Sequence, residues 1–481
     1  MNRPFSNAKP YIAQLKSIEQ KISQNQLEAA ALQLNVLAKT SSHDPRLFLL
    51  GSRLAEAAHN PDGVLLAARK AHQFGPEWPT ATIHLATVLA TRGEADEAMA
   101  MADQAVQQVS APSSGATQDI SEMLTMAAAV AERFKRHPKA LEWLRRAEQF
   151  KPDDLTIRHR IARTLIDIGD HTDAIAILTD LLLLRPNNPT LLSDRLRAYL
   201  GAQQIDLAIQ DGETLVHLEP NNEVHQFYLD IARGLTPKTQ PAAVVMSLFD
   251  GYAGQFDRHL VRQLQYKLPR DVAQLIHQWH PDRKGDVLDL GCGTGLLGVY
   301  LGRIEGVLVG VDLSGKMIEQ ASRHQVYDRF HKVNVLDALQ ATPANLYHVI
   351  TALDVLIYVG DLDTVIPNAC RILLPGGRFV FSCEAQTEGD ADYTLQSTRR
   401  YAHRKGYVQG LLEQAGFEEV EIEDRVLRME HSQPVQGFLV TARKQKLETE
   451  KTALKSPKNA KPAGLRQSPV PTRQRPGKID L

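Results

Sequence analysis

Small and apolar positions in the first half of the chain recur with a fixed spacing of about 34 residues, a length typical of helical repeats. Pro152, Pro186 and Pro220 follow one another at this step. Three further columns share it: Ala140, Ala174 and Ala208; Ala147, Leu181 and Leu215; and Ala30, Val64 and Ala98. A short insertion falls near Ser110–Gln118, where the sequence is typical of a loop. The fixed period predicts stacked helical units.

The repeat resembles the tetratricopeptide repeat, a helix–turn–helix in which small residues let the two helices approach and a proline ends the second. In Leu155–Asn188, Gly169 lies at the turn and Pro186 ends the unit. Six units are expected to start near residues 11, 45, 79, 121, 155 and 189, with a capping helix over Glu223–Arg233. For the first two units a generic helical solenoid is the alternative. Stacked repeats form an extended surface, so the resemblance implies a protein or peptide partner on the concave face.

The pattern changes near Gly234–Pro241, where two prolines and two threonines are typical of a linker. Beyond it strand-like and helix-like segments alternate, which indicates a mostly parallel, doubly wound α/β sheet. Seven strands are predicted, at Asp286–Leu290, Val307–Val311, Phe330–Val335, Tyr347–Leu353, Gly377–Cys383, Phe417–Ile422 and Val435–Ala442. The predicted organisation is an N-terminal tail (1–10), an all-α tetratricopeptide-like solenoid with its capping helix (11–234), a linker (235–241), a seven-stranded Rossmann-like α/β domain (242–443) and a tail (444–481).

Composition narrows the class of protein. Of the 481 residues, 43% are hydrophobic and 23% charged, which is typical of a multidomain globular chain. Because 55 basic residues balance 56 acidic ones, no nucleic-acid partner is expected for the body of the protein. From Arg443 to Leu481 eleven basic residues face three acidic ones, so this tail is predicted to be disordered, with contact to an anionic partner as the alternative. The three cysteines lack disulfide or zinc spacing, and neither a signal peptide nor a membrane span is expected, so a cytoplasmic location is predicted.

The strongest candidate for chemistry is a glycine-rich turn directly after the first predicted strand, VLDLGCGTG over residues 287–295. A backbone that turns sharply and approaches a ligand closely excludes side chains. Gly293, Gly295 and Gly298 also loosely match a dinucleotide fingerprint. Asp289, at the end of the strand, favours a different ligand. A carboxylate would repel a diphosphate but suits a ligand that bears an ammonium and a sulfonium.

This pattern resembles the first motif of class I S-adenosylmethionine-dependent methyltransferases, and four further motifs follow in the family's order. Asp312 ends the second strand, where an acid reaches both ribose hydroxyls. The resemblance places Met317 against adenine and Asp337 beside the adenine amino group; a core position and a helix cap are the respective alternatives. It implies S-adenosyl-L-methionine as cofactor, bound by Asp289, Gly291, Cys292, Gly293, Gly295, Asp312, Leu313, Met317, Asp337, Ala338 and Leu353.

Residues 248–257 and 264–269 resemble the N-terminal helices of bacterial tetratricopeptide-linked predicted methyltransferases. More loosely, the domain is similar to methyltransferases of the malonyl-carrier-protein and ubiquinone-pathway type. Tyr252 and Phe256 are four residues apart and share one helical face. The resemblance implies that these aromatic side chains close over the cofactor, and packing on the sheet is the alternative.

The implied reaction is an in-line displacement at the sulfonium methyl, for which orientation is the main requirement and no metal is expected. A hydroxyl or ammonium acceptor must lose a proton. Asp354, Tyr358 and His403 are the candidate catalytic residues, since they lie near the predicted C-terminal ends of strands or in the loops that follow. No motif specifies the acceptor, so a protein and a small molecule both stay open. A scaffold without catalysis is the alternative from another functional class.

Overall fold

The first half of the chain, in the computed structural model, is a series of helix–turn–helix hairpins. The structure describes residues 8–109, 117–252, 266–430 and 433–446. Within these ranges six hairpins begin at residues 9, 45, 79, 117, 155 and 189, each close to the predicted start. Most of the predicted insertion at 110–118 lies outside the described residues. The helices are α1 (Lys9–Ser23), α2 (Leu27–Thr40), α3 (Pro45–Ala57), α4 (Pro61–Phe74), α5 (Pro79–Thr91), α6 (Ala95–Val109), α7 (Thr117–Arg133), α8 (His137–Phe150), α9 (Leu155–Ile168), α10 (His171–Leu184), α11 (Pro189–Gly201), α12 (Ile205–Leu218) and α13 (Glu223–Ala232).

The repeat period also fixes where helices begin. Asp154, Asn188 and Asn222 occupy the same position in successive repeats, and each is an N-cap. Their side-chain oxygens accept hydrogen bonds from backbone N–H groups two or three residues further on, which satisfies donors that the first helical turn leaves unpaired. Three first helices start on a proline, whose fixed φ suits that position: Pro45, Pro79 and Pro189.

Small residues of the repeat form the centre of the array. Ala140, Ala174 and Ala208 are all fully buried, so the absence of longer side chains lets neighbouring helices pack closely. One continuous core extends from Ala68 in α4 to Ala232, whereas α1, α2 and α3 have a core of their own around Ile18. The first half is therefore a tetratricopeptide-like solenoid.

The second half folds around one sheet, in which nine strands fall within the described residues. Strands β3, β2, β1, β4 and β5 lie side by side in parallel, β9 pairs antiparallel with β5, and β8 pairs antiparallel with β9. This is a Rossmann-like order. The strands are β1 (Val287–Leu290), β2 (Leu308–Asp312), β3 (Arg329–Lys332), β4 (Tyr347–Ala352), β5 (Leu373–Ala385), β6 (Tyr393–Leu395), β7 (Tyr401–His403), β8 (Phe417–Glu430) and β9 (Gln433–Lys444).

Helices fill the connections of the sheet. They are α14 (Ala242–Tyr252), α15 (Leu268–Trp279), α16 (Leu296–Leu301), α17 (Gly315–Ser322), α18 (Val335–Ala341), α19 (Val365–Ile372) and α20 (Lys405–Gln414), with a short 3₁₀ helix at Leu356–Tyr358. Two apolar clusters contain residues of the sheet, one around Phe379 and Phe381 and the other around Val349 and Val380. None of the helices in the described part of the chain has the length and apolar character that crossing a membrane requires.

All seven predicted strands are present, with shifted ends. β5 begins at Leu373 rather than at Gly377, and β8 continues to Glu430 rather than ending at Ile422. The sequence did not predict β6 and β7, which have three residues each. β7 extends the sheet beside the end of β5, and β6 pairs antiparallel with β7. Segments this short carry no readable alternation of apolar and polar positions.

The segment between the two halves is hydrogen-bonded to the sheet domain. The Tyr401 hydroxyl donates to the Pro237 carbonyl at 2.8 Å, and Lys238 pairs with Asp361 at 2.6 Å. The backbone N–H of Gln240 donates to the Tyr358 carbonyl at 3.0 Å. Residues 235–241 have the composition of a linker, but these hydrogen bonds hold the segment against the sheet domain.

Direct contacts also join the repeats to the hairpin of β6 and β7. The Arg399 guanidinium donates to the Tyr228 hydroxyl and lies 5.0 Å from the centre of its ring. Leu395 packs against the core of the repeat array. The described residues up to Gln445 accordingly form one compact unit.

Candidate functional site

The glycine turn after β1 has the shape that a closely approaching ligand requires. Gly291, Gly293 and Gly295 all have positive φ, at 65°, 54° and 84°. A Cβ atom on Gly291 would lie 2.1 Å from Cγ2 of Val355, so no side chain fits there. α16 begins directly after the turn, and Cys292 within it is nearly buried. Burial raises the pKa of the Cys292 thiol, which keeps this group neutral.

Asp312, the last residue of β2, holds the turn in place. One carboxylate oxygen accepts from the Gly293 backbone N–H at 2.8 Å, and the other accepts from the Ser314 N–H at 2.8 Å. The parallel pairing of β1 with β2 brings the two segments together, because the carboxyl ends of neighbouring parallel strands meet at one edge of a sheet. The structure thus joins two residues that the sequence analysis assigned to the cofactor site.

Asp289 is placed differently from what its motif suggested. The side chain was expected to bind the cofactor, but it is buried and accepts hydrogen bonds from the Thr351 hydroxyl at 2.7 Å and the Tyr327 hydroxyl at 2.6 Å. Burial raises its pKa to about 6, against the lowering effect of the two hydroxyl donors. The Tyr327 hydroxyl in turn accepts from the Gly298 N–H at 3.2 Å. In this structure Asp289 supports the start of α16 from inside the protein.

The other predicted cofactor residues follow the ends of β2, β3 and β4. Met317 is fully buried in α17, which supports the alternative of a core position, and its contact with adenine stays a prediction. Asp337 is exposed in the first turn of α18, whereas the N-cap of that helix is Asn334. Helix capping by Asp337 is therefore wrong. Leu313 is half-buried, and Ala338 and Leu353 are buried. The side chain of Tyr252 and all of Phe256 lie outside the described residues.

Beyond the ends of β4 and β5, Asp354 belongs to a buried ion-pair network. Arg428 of β8, which is 4% exposed, donates to both oxygens of Asp354 at 2.8 Å and also donates to Glu384 at the end of β5. Asp354 itself has a positive φ of 58°, and its N–H donates to the Ser382 hydroxyl at 2.8 Å. Non-glycine residues in this conformation are held there by their surroundings and cluster at functional sites.

A second pair continues this network. Arg400 binds Glu430 with two hydrogen bonds at 2.6 and 2.7 Å, and its Nη1 lies 3.6 Å from Glu384. Burial raises the pKa of Glu384, while the two arginines lower it. Sequence reasoning missed Glu384, Arg400, Arg428 and Glu430 as members of a site, because single charges in strands carry no motif and only the sheet register brings them together.

Two of the predicted catalytic residues do not fit the role of a base. His403 in β7 has no exposed surface, and its Nε2 lies 2.9 and 3.0 Å from the carbonyl oxygens of Val359 and Gly360. Burial lowers the pKa of His403 to about 4. The prediction of a catalytic His403 is therefore wrong: the side chain is enclosed and acts as a structural donor. Burial raises the pKa of Tyr358 to about 12, so this phenol stays protonated and cannot accept a proton at neutral pH.

The residues present fit S-adenosylmethionine. The backbone of the glycine turn carries no side chain at Gly291, Gly293 and Gly295, and Asp312 places a carboxylate at the end of β2, where ribose hydroxyls are bound in Rossmann-like folds. Among the residues described, no group of three or more His, Cys, Asp or Glu side chains is arranged to hold a metal ion. The fold and this site give the second half the features of the Rossmann-like methyltransferase class, whose cofactor is S-adenosylmethionine.

Comparison with known proteins agrees with this class. Residues 260–422 match a family described as "Methyltransferase domain". The "Ubiquinone biosynthesis O-methyltransferase" of Pseudomonas savastanoi pv. phaseolicola (strain 1448A / Race 6) is 29% identical over 129 residues, which are 25% of this chain and 55% of that protein. The mitochondrial enzyme of the same description from Homo sapiens is 30% identical over 108 residues, 21% of this chain and 29% of that protein. The chain thus spans about half or less of these curated relatives.

Among solved structures, magnesium protoporphyrin IX methyltransferase from Synechocystis PCC 6803 with bound SAM has a TM-score of 0.33 and 17% identity. The similarity covers 44% of this chain and 100% of that one.

Proposed function

We propose that this protein transfers the methyl group of S-adenosylmethionine to an acceptor held beyond the ends of β4 and β5, and that the repeats recruit a protein that is the acceptor or its carrier. The observation that supports the cofactor assignment is the bond between Asp312 and the glycine turn. That assignment comprises Asp312, Leu313, Met317, Asp337, Ala338, Leu353 and the turn residues Gly291, Cys292, Gly293 and Gly295, with Asp289 as a residue that positions the turn.

When bound, the cofactor supplies a methyl group on a positively charged sulfur, which makes that carbon electrophilic. The chain's own contribution is to bind and orient. Bare backbone at the glycine turn lets the ligand come close, and a carboxylate oxygen of Asp312 accepts more than one hydrogen bond, so it can serve the turn and a ribose hydroxyl together. Holding the two reactants in line accounts for most of the rate gain expected of such an enzyme.

On the acceptor side, Asp354 and Glu384 are the carboxylates closest in the chain to the ends of β4 and β5. Arg428 holds both, which keeps these charges fixed in a setting that excludes much of the water. A rigid, desolvated set of charges orients a polar acceptor better than mobile side chains would. Removal of a proton from the acceptor, where the acceptor carries one, is assigned to Asp354 rather than to the enclosed His403 or to Tyr358, and the buried Glu384 positions Arg428.

The test is methyl transfer by the full chain from S-adenosylmethionine labelled in its methyl group to proteins and small molecules of a cell extract. The proposal expects label in at least one extract component. It also expects the Glu384→Gln and Asp354→Asn variants to lose most of the transfer while they bind the cofactor normally. If the wild-type chain binds the cofactor but labels nothing, the alternative of a scaffold without catalysis replaces the proposal.

A further inference from the structure

Two arginines from successive repeats surround a single buried carboxylate. Arg163 and Arg197 occupy the same position of the repeat, in the first helices of hairpins five and six. Nη1 of Arg197 lies 3.2 Å from Asp194, and Nε of Arg163 lies 3.9 Å from it. Nε2 of His159 lies 2.8 Å from the same carboxylate. The carboxylate of Asp194 therefore attracts both guanidinium groups. The side chain of Arg163 is nevertheless 61% exposed.

One face of α9 extends from the cluster of Arg163, Arg197 and Asp194 towards the methyltransferase domain. His159, Arg163 and Asp167 are spaced four residues apart and share that face. Asp167 lies 3.8 Å from His137, the first residue of α8. The two helical turns from His159 to Asp167 correspond to a rise of about 12 Å. The distance from the arginine cluster to the turn between α7 and α8 is thus within the reach of a short peptide.

That turn is basic and is electrostatically coupled to the methyltransferase domain. Arg133 ends α7, and Lys135 and Arg136 follow it in the turn; all three are exposed. Loss of water around its ammonium group lowers the pKa of Lys135; the charge of Arg400 lowers it further, whereas the charges of Asp167 and Glu430 raise it. Arg400 and Glu430 belong to the ion-pair network beside the proposed acceptor site. Lys135 of the repeats therefore lies within range of charges that belong to that network.

We propose that this basic face docks an acidic segment of a protein acceptor. The inference rests on the proposed function and names the chemistry of the partner. Charge complementarity selects the occupant, because six cations outnumber three acids on this face. The cations are Arg133, Lys135, Arg136, Arg160, Arg163 and Arg197, and the acids are Glu132, Asp167 and Asp194.

Two other occupants match the face less well. The chain's own segment from Arg443 to Leu481 carries eleven basic and three acidic residues, so it has the same sign of charge as the face. A single-stranded nucleic acid also binds through aromatic side chains on which its bases stack, and none belongs to the set of residues that defines this face. An extended peptide advances about 3.3 Å per residue, so about four residues cover the roughly 12 Å along α9.

The experiment uses the full chain and a fluorescein-labelled hexaglutamate peptide, with binding followed by fluorescence anisotropy. Hexalysine and a single-stranded oligothymidine are the comparison probes. Arg163→Glu should weaken hexaglutamate binding by about tenfold or more, and Arg163→Lys should stay within about threefold of the wild type, because it keeps the charge. The matched control is Arg145→Glu in α8, whose side chain is 53% exposed and pairs with Asp173. This control should bind as the wild type does.

Three results would overturn the proposal. The first is that the wild type does not bind hexaglutamate. The second is that Arg163→Glu and Arg145→Glu weaken hexaglutamate binding equally. The third is that oligothymidine binds more tightly than hexaglutamate and loses as much affinity in Arg163→Glu. Titration of S-adenosylmethionine into the same variants separates this test from the proposed function. If the variants bind the cofactor normally and Arg163→Glu does not weaken hexaglutamate binding, the docking surface alone is wrong. If the wild type does not bind the cofactor, the proposed methyl transfer is wrong.

A second readout connects the surface to the reaction. Added hexaglutamate should compete with the acceptor and reduce the label transferred to extract proteins by wild type, since both need the same face. Hexalysine should have no such effect. Transfer that is insensitive to hexaglutamate at concentrations that saturate the anisotropy signal would show that the acceptor does not use this surface.

Discussion

Asp312 accepts a hydrogen bond from the backbone N–H of Gly293 at 2.8 Å, so the acid at the end of β2 fixes the glycine turn at the end of β1. The same carboxylate is the proposed partner of the ribose hydroxyls. Asp312→Ala should therefore weaken S-adenosylmethionine binding by about 2–4 kcal/mol, because both the turn and the hydroxyls lose their acceptor. Titration calorimetry on the folded variant measures this loss.

The matched control for this prediction is Glu319→Ala, which removes an exposed acid of α17 that pairs with Arg323. Its effect on affinity should be smaller, since no bond to the glycine turn is lost. An unchanged dissociation constant in a folded Asp312→Ala protein would remove Asp312 from the site.

Gly291→Ala should damage the site through sterics. Its φ of 65° disfavours any side chain, and a Cβ would meet Val355 at 2.1 Å. We expect a loss of stability of about 1–3 kcal/mol and a clear loss of cofactor affinity. Gly410→Ala in α20 is the control, because its Cβ would meet no atom within 4 Å, and it should be neutral or stabilising. Denaturant unfolding measures the stability of the two variants, and titration measures their affinity for the cofactor. Equal stability and equal affinity of the two variants would mean that the turn is not constrained.

Arg428→Met should be strongly destabilising. The substitution leaves the carboxylates of Asp354 and Glu384 without their common partner in a buried setting, which costs about 3–5 kcal/mol. Arg323→Met, on an exposed pair with Glu319, should change the free energy of unfolding by about 0–1 kcal/mol. Urea unfolding measures both changes. If both substitutions change the free energy of unfolding by a similarly small amount, the ion-pair network of Arg428 is not buried.

His403 should make the stability of the protein depend on pH. Burial lowers its folded-state pKa from 6.5 to about 4, so between these values the unfolded chain binds the extra proton. Its contribution is fully present above pH 6.5 and is lost as the pH falls towards 4, by up to about 3 kcal/mol. His403→Gln keeps an N–H donor for the Val359 carbonyl and removes the titration.

The difference in unfolding free energy between wild type and His403→Gln should therefore shift in favour of the variant between pH 7 and pH 5. This comparison cancels the other buried groups, including Asp289, whose raised pKa acts in the opposite direction. A difference that does not change with pH is incompatible with a buried, neutral His403.

The contacts of residues 237–240 predict how the methyltransferase half behaves alone. A fragment of residues 236–446 keeps the Pro237 carbonyl that accepts from the buried Tyr401 hydroxyl, whereas a fragment of 242–446 leaves that hydroxyl without its acceptor. The longer fragment should be more stable by about 1–3 kcal/mol. Thermal unfolding of the pair measures the difference, and equal stabilities would show that the segment contributes nothing to the second half.

The repeat period and the strand pattern could be predicted from the sequence because each rests on local spacing. Pro152, Pro186 and Pro220 mark the repeat, and the glycine turn marks the start of the sheet. The role of His403 could not be predicted, since a histidine near aromatic residues has the same local pattern whether it is buried or exposed. The partnership of Asp354 with Arg428 depends on residues 74 positions apart, so only the folded sheet reveals it.

The most direct test of the central claim is titration calorimetry of the full chain with S-adenosylmethionine and, in parallel, with oxidised nicotinamide adenine dinucleotide. We predict one site per chain for S-adenosylmethionine and no detectable heat for the dinucleotide, because the proposed reaction uses an adenosyl ligand that carries no diphosphate. Binding of the dinucleotide in preference to S-adenosylmethionine, or of neither ligand, would contradict the account.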